Sequence, residues 1–164
     1  MKQLLIVWFS RTGGAAQMAE AAAEGARTQD DAIDVRLLHA TQANGTDVLA
    51  ADGYLFVTPE NLASMAGPMK DFFDRIYYDA LDRTHGRPYA ILICAGTDGT
   101  GAIRQIQRIA TGLRLKEVAP ALIIKTNAQT PAQILAAKTI EAHDLDRCRE
   151  IGAALASGLS LGIF

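Results

Sequence analysis

The residues best suited to chemistry lie early in the chain, in a short turn from Ser10 to Gly14. This turn follows an apolar run, Leu4 to Phe9, and leads directly into an alanine-rich segment that favours a helix. Ser10 and Thr12 provide hydroxyl groups, and the two glycines that follow let the backbone come close to a ligand. We therefore predict a buried strand, a turn that grips a phosphate group, and a helix.

The chemistry of this turn suits one kind of anion. The first free N–H groups of a helix and the helix dipole both favour negative charge at this point. Because the loop contains no Lys, hydroxyl and amide donors suit a terminal phosphate monoester better than a nucleoside triphosphate. A polar helix cap that binds nothing is the alternative.

Several other classes of phosphate site do not match the turn. A Walker loop needs Gly-x-x-x-x-Gly-Lys-Ser/Thr, and a dinucleotide-binding turn needs Gly-x-Gly-x-x-Gly. A receiver domain needs an acidic pair at the end of the first strand, where this chain has Phe9 and Ser10. A low-molecular-weight phosphatase needs a nucleophilic Cys in the first loop, and none is present there.

Strand and helix patterns alternate along the rest of the chain. The predicted strands are Leu4–Phe9, Ile33–Leu38, Gly53–Thr58, Tyr89–Ala95 and Val118–Lys125, the last interrupted by Pro120 and therefore placed at an edge or a bulge. The predicted helices are about Gly14–Arg27, Asp47–Ala51, Met65–Asp82, one from Ile103 to Leu113, and a final one that Thr139 could cap. Nearly all-apolar strands alternating with helices indicate one α/β domain, residues 1–164, with a parallel sheet covered on both faces.

The fold class predicts where a ligand would sit. In a doubly wound sheet of order 2-1-3-4-5, the ligand lies beyond the carboxyl ends of the strands, between the first and third strands. Three predicted loops meet there, Ser10–Ala15, Thr58–Ser64 and Gly96–Gly101. Their convergence favours a ligand site over an empty helix cap.

Three segments carry a resemblance to a known family. FSRTGG follows the first strand, TPENLASMAGPMKDFFDR the third, and CAGTDGTGA lies at the end of the fourth. Together they resemble the flavodoxin-like flavoprotein superfamily, and most of all its NAD(P)H-dependent FMN reductase and quinone oxidoreductase branch, whose members carry a TPxYxxxMxGxMKxFxDR type of segment. The resemblance covers Leu4 to about Leu122 and implies a flavodoxin-like three-layer sandwich with a five-stranded parallel sheet in the order 2-1-3-4-5.

The resemblance also implies an FMN cofactor and its contacts. The FMN phosphate would be held by Ser10, Arg11, Thr12, Gly13, Gly14 and Ala15. The ribityl chain and the isoalloxazine ring would run beside Thr58, Pro59, Glu60, Asn61 and Leu62, and the other side of the ring would border Gly96, Thr97, Asp98 and Gly99. Amide groups of that last loop could stabilise negative charge on reduced flavin. Hydride transfer to the flavin needs no side-chain acid or base, so we predict no catalytic residue.

The sequence departs from the family pattern at the face of the flavin ring. Neither flanking loop contains Trp or Tyr, and Asn61 stands where the reductase branch often has an aromatic residue. An uncovered ring leaves room for a nicotinamide or a quinone, which favours electron transfer from NADH or NADPH to a quinone, a flavin or a similar small acceptor. The alternatives are a flavodoxin-type one-electron carrier that serves a protein partner, and a member that binds no flavin.

Composition and charge limit the classes of partner that this chain is expected to bind. A net charge of −2 with no basic stripe argues against nucleic acid, and it does not suit a strongly acidic carrier that docks by electrostatic steering. No apolar run approaches the length of a membrane span, and no secretory signal begins the chain, so we expect a cytoplasmic protein. The apolar tail Leu159–Phe164 could cap the core or join an interface, and we expect a homodimer.

The remaining reactive side chains are expected to be structural. Cys94 and Cys148 are far apart and lie within apolar patterns, which is typical of buried free thiols in a reducing compartment. His39, His85 and His143 lack a set of ligands at metal-binding spacing, so no metal site is predicted. Asp30, Asp31 and Asp34 are expected to form a solvated turn.

Overall fold

The computed structural model describes residues 1–29 and 31–164. The strands are β1 Lys2–Trp8, β2 Ile33–His39, β3 Gly53–Asn61, β4 Ser64–Met65, β5 Pro88–Ala95, β6 Lys116–Glu117 and β7 Leu122–Lys125. The helices are α1 Gly14–Gln29, α2 Gly45–Ala50, α3 Gly67–Ala80, α4 Thr100–Gly112, α5 Pro131–Leu135 and α6 Ala142–Leu161. Every element of the predicted alternation is present, and three short elements were not predicted: β4, β6 and α5.

The central sheet has the predicted order. Its path is β2-β1-β3-β5-β6, with β7 also paired to β5 and every pair along this path parallel. In the numbering of the five predicted strands this is 2-1-3-4-5, so the flavodoxin-like fold class is confirmed. The fifth position is divided, because β6 pairs with the start of β5 and β7 with its end. The break includes Pro120, which has no N–H to donate to a neighbouring strand.

Side chains of the sheet alternate between two cores. Leu4, Ile6, Leu55 and Val57 face α1 and α6, while the residues between them face the layer of α2, α3 and α4. This alternation follows from the two-residue period of a strand. The result is three layers, helix, sheet and helix, as predicted.

The crossing of α1 and α6 depends on small residues. A Cβ atom on Gly25 would collide with the backbone carbonyl of Arg149, and one on Gly152 with that of Ala22. The two helices therefore approach to backbone contact, which buries the alanine-rich face of α1.

Several predicted boundaries are wrong. The third strand does not end at Thr58 but continues to Asn61 and turns back as a hairpin, where a loop was expected. The next helix begins at Gly67 and not at Met65, with Pro68 in its first turn, a position where the missing N–H costs no helical bond. Thr139 does not cap the last helix, because Glu141 occupies the N-cap.

The predicted acidic turn is also revised. Asp30 lies outside the described residues, and Asp31 is exposed as expected. Asp34 belongs to β2, where its Oδ2 accepts a 2.7 Å hydrogen bond from Gln3 Nε2. None of the helices in the described part of the chain is both long enough and apolar enough to cross a membrane.

Candidate functional site

A cavity of about 460 Å³ opens at the carboxyl ends of β1, β3 and β5. Eight of the residues singled out from the sequence line it: Arg11, Thr12, Pro59, Glu60, Asn61, Leu62, Gly96 and Thr97. Seven do not, although each adjoins one that does or lies in the same loop: Ser10, Gly13, Gly14, Ala15, Thr58, Asp98 and Gly99. The three predicted loops therefore meet at one cavity.

The first turn is organised by its own hydrogen bonds. Ser10 Oγ accepts a 3.0 Å bond from the amide of Gly13, whose φ of +98° is one that side chains rarely adopt. Gly14 lies against the end of β5, where an added Cβ would come within 2.6 Å of Cys94 Sγ. Ser10 and Gly14 thus shape the turn, and Thr12 and Arg11 face the cavity.

The second wall is the hairpin of β3 and β4. Its two-residue turn is Leu62-Ala63, with φ values of +51° and +60°. Both central residues have positive φ, as in the type I′ turns that usually carry Asn-Gly. The side chain of Leu62 is fully exposed at the rim of the cavity.

One buried donor on this wall has no partner. Asn61 Nδ2 is shielded from solvent and makes no hydrogen bond with any residue that the structure describes. Buried polar groups without a partner are uncommon and costly. Since Asn61 also lines the cavity, a ligand with a hydrogen-bond acceptor at this wall would satisfy the amide.

The third wall is the loop after β5, and the carboxylate of Glu60 on the second wall is hydrogen-bonded to it. Glu60 Oε1 accepts from the amide of Gly99 at 2.9 Å, and Oε2 accepts from that of Ala102 at 3.2 Å. Asp98 Oδ1 accepts from the hydroxyl and the amide of Thr100, and these bonds, the hydroxyl first, hold the pKa of Asp98 below its usual value. The amide of Gly99, one of the predicted donors to a reduced flavin, is therefore already bonded to Glu60.

A fourth wall was missed from the sequence. It comes from the segment between β7 and α6 and includes Thr126, Ala128, Ile134 and Lys138. Part of it was recognisable, because Thr130-Pro-Ala-Gln133 is a capping box with Pro in the first turn, and the structure shows both capping bonds at the start of α5. The position of Lys138 beside Thr12, 126 residues earlier in the chain, has no such local indication.

Cys94 lines the cavity, but its thiol is expected to be unreactive. The residue is only 7% exposed. Burial raises the pKa of its thiol to about 11, although the nearby charge of Lys138 acts in the opposite direction. A thiol that stays protonated is a poor nucleophile, so Cys94 packs against the turn and does not react.

The walls combine apolar, polar and charged residues. Among the described residues that line the cavity, none has an aromatic side chain. Arg11 and Lys138 bring positive charge to the side of the first turn, and Glu60 brings negative charge to the opposite wall. Such a cavity suits a ligand that carries an anionic group near Arg11 and Lys138.

His143 departs from the expectation about metal ligands. Its ring nitrogens lie 3.3 Å from a carboxylate oxygen of Glu141 and 3.4 Å from one of Asp144. The three potential ligand atoms are within 4.8 Å of one another. Because Glu141 and His143 are exposed at the start of α6, a solvated charged cluster accounts for the arrangement.

Comparison with known proteins identifies the relatives of this chain. The family model described as NADPH-dependent FMN reductase matches residues 9–129. A protein named flavodoxin from Aquifex aeolicus (strain VF5) is 36% identical over 101 residues, 62% of this chain and 54% of that protein. An NAD(P)H-dependent FMN reductase from Schizosaccharomyces pombe is 30% identical over 90 residues, 55% of this chain and 42% of that protein. The chain thus spans about half the length of the curated relatives it matches.

A solved structure shares the fold over nearly the whole chain. The structure of an archaeal flavodoxin has a TM-score of 0.77 at 18% identity, covering 96% of this chain and 99% of that one. At this identity the likeness concerns the fold alone.

Proposed function

This chain belongs to the NADPH-dependent FMN reductase family, and on that premise we propose that it binds FMN and transfers electrons from NADH or NADPH to a small acceptor such as a quinone or a flavin. The observation that carries the proposal is the cavity itself. Its first turn and two neighbouring loops match the family segments, and no described lining residue covers it with an aromatic ring.

The lining residues fit the chemistry of FMN from one end to the other. Thr12 and Arg11 offer a hydroxyl and a positive charge to a phosphate. Pro59 to Leu62 form one wall beside a flat ring, and Gly96 and Thr97 form another. Asn61 Nδ2, the buried donor without a partner, matches a ring that carries carbonyl oxygens and basic nitrogens.

The cofactor would supply the redox chemistry, since a bound flavin accepts hydride from a nicotinamide and passes electrons to an acceptor. The protein would bind the flavin and hold its ring in a fixed orientation. The hairpin is held against α4 by Glu60, and by Gln105 Oε1, which accepts from the amide of Met65 at 2.9 Å. A rigid wall of this kind sets the position of a ring without closing over it.

The open cavity supports a reductase that exchanges two electrons at a time. A planar nicotinamide or quinone needs access to one face of the flavin ring. Leu62 is exposed at the rim and its side chain has only methyl groups to offer, so it does not replace the aromatic cover that would keep a second planar molecule away.

The experiment is an anaerobic reduction. The protein is saturated with FMN, excess FMN is removed, NADH or NADPH is added, and the visible flavin absorption is followed. Bleaching by either nucleotide, followed by reoxidation on addition of a quinone or free flavin, is the expected result and identifies the preferred donor. A protein that retains no FMN would contradict the proposal.

A one-electron carrier is the second candidate, because the Aquifex relative at 36% identity is named flavodoxin. It predicts that bound FMN stays oxidised with either nucleotide and is reduced only by a chemical reductant. The search would then turn to a protein partner.

Homodimer formation stays a prediction with its own test. In the apolar tail, the ring of Phe164 packs against Gly158 and is 37% exposed, whereas Leu161 and Ile163 are about two-thirds exposed. Light scattering at micromolar concentration should report twice the mass of the chain, and Leu161→Glu should reduce it to one chain if the tail forms the interface.

A further inference from the structure

Three hydrogen bonds hold the segment after α5 against the first turn and the start of α1. The amide of Lys138 donates to the carbonyl of Thr12 at 2.8 Å. Gln17 Nε2 donates to the carbonyl of Lys138 at 2.7 Å, and Gln17 Oε1 accepts from the amide of Ile140 at 3.0 Å. The backbone of Lys138 is therefore positioned by bonds that do not involve its side chain.

The side chain of Lys138 is directed at the same turn. Its Nζ donates to the carbonyls of Ala136 at 2.6 Å and Ile134 at 2.9 Å. The third contact, to Thr12 Oγ1, is 3.4 Å long and so weaker than an ordinary hydrogen bond. One of the three ammonium protons is thus available for a better acceptor placed near Thr12.

The charge of Lys138 is not neutralised within the described part of the chain. None of the ion pairs there includes Lys138 or Arg11. Both cations line the cavity beside the turn. An anion between them would gain a charge-assisted hydrogen bond from Nζ, and Thr12 could donate its hydroxyl proton to the same anion.

We propose that Lys138 is a phosphate-recognition residue that makes the site prefer a phosphorylated flavin over riboflavin. This inference rests on the proposed function and adds a residue to it. Lys138 lies beyond residue 129, where the family match ends, so the family match itself assigns it no role. The phosphate would be held by Thr12 on α1's side and by the ammonium group on the other.

A purely structural role is the competing explanation. The carbonyls of Ile134 and Ala136 lie at the end of α5, and a Lys can cap the end of a helix. Such a cap would hold the wall of the cavity and support FMN and riboflavin equally. Only a role at the phosphate separates the two ligands.

The experiment compares the two flavins by quenching of their fluorescence, in the wild type, Lys138→Met and Lys138→Arg. Lys116→Met is the matched control, because Lys116 is an exposed lysine on β6, which pairs with the start of β5 at the opposite end of the sheet. Thermal melting of each variant checks the fold. The titrations are repeated at low and high salt.

We expect Lys138→Met to weaken FMN binding by about 10- to 100-fold, the range for losing a charge-assisted hydrogen bond, and to leave riboflavin binding unchanged. Lys138→Arg should restore part of the preference, Lys116→Met should match the wild type, and the salt dependence of FMN binding should decrease in Lys138→Met.

Two results would overturn the inference alone. One is an equal loss of both flavins in Lys138→Met, which would indicate the helix cap. The other is an affinity of Lys138→Met for FMN that equals that of the wild type. A wild type that binds neither flavin would instead overturn the proposed function, and the inference with it.

Discussion

The Leu62-Ala63 turn is expected to be strained, and relieving it should stabilise the protein. Both residues have positive φ, +51° and +60°, in the two-residue loop between β3 and β4. For a residue with a Cβ atom this region costs roughly 1–2 kcal/mol. Natural hairpins avoid the cost with Asn-Gly, so we choose Ala63→Gly and the double variant Leu62→Asn with Ala63→Gly.

The expected magnitude follows from the local environment. Ala63 is exposed and Leu62 is fully exposed, so neither change removes buried apolar contact. Glycine loses about 0.5–1 kcal/mol through the greater freedom of the unfolded chain, which leaves a net gain of about 0.5–1 kcal/mol for Ala63→Gly. The double variant should gain about 1–2 kcal/mol, or about 2–8 °C in Tm for a chain of this size.

Urea titration and thermal melting measure the change in the free energy of unfolding. A matched Ala→Gly variant in a helix serves as a control that is expected to change it in the opposite direction. Ala154 is exposed in the middle of α6. Ala154→Gly makes the same chemical change in a helix and should lower the free energy of unfolding by about 1 kcal/mol. If Ala63→Gly destabilised the protein as much as Ala154→Gly does, the argument from strain would be refuted.

Three further predictions concern the site and the core. Gly14→Ala places a Cβ within 2.6 Å of Cys94 Sγ and should lower stability by about 1–3 kcal/mol in urea titration; full stability would show that β5 can move aside. Thr12→Glu should abolish FMN binding at an unchanged Tm, because a carboxylate replaces a phosphate donor, and retained binding would contradict the assignment of the turn. Burial raises the pKa of Cys94 to about 11 and of Cys148 to about 12, from 9.0 in both cases, so both thiols should resist DTNB at pH 8 until the chain unfolds. The contribution of these two thiols to the free energy of unfolding should be constant well below pH 9 and should fall as the pH rises from 9 to about 11, since in that range the unfolded chain releases these protons more readily than the native protein does; fast labelling of the native protein would contradict the burial.

Gly13 illustrates how the structure changes the choice of variant. The sequence alone suggests acidic substitutions at Thr12 and Gly13 as equivalent probes of the phosphate turn. The structure gives Gly13 a φ of +98°, so any side chain there would strain the backbone. Thr12 is therefore the informative position.

Local patterns were enough for the sheet and for the place of the site. Strands such as β1 and β5 are continuous apolar runs because both of their faces are buried. The order of the strands and the convergence of the loops after β1, β3 and β5 follow from the resemblance and from the rule for parallel sheets. The sheet order could therefore be predicted from the apolar strands together with the family resemblance, and the structure confirms it.

The hairpin after β3 was missed because its sequence gives the wrong indication. Leu62-Ala63 has neither Asn nor Gly at positions that require positive φ. The turn is held by contacts with a distant helix, where the carbonyl of Ala63 packs against Gly101 and Glu60 binds two amides. Tertiary contacts override the local preference here.

The sequence, read with its family resemblance, thus determined the fold class and three of the loops that surround the cavity, because these follow from the order and polarity of neighbouring residues and from the rule for parallel sheets. The role of the first turn in binding phosphate stays a prediction. The tertiary structure alone decided that Lys138 stands beside Thr12, that Glu60 occupies the amide of Gly99, and that Asn61 holds a buried donor without a partner. These facts depend on which distant segments meet and on how their side chains are oriented, and no local pattern contains that information.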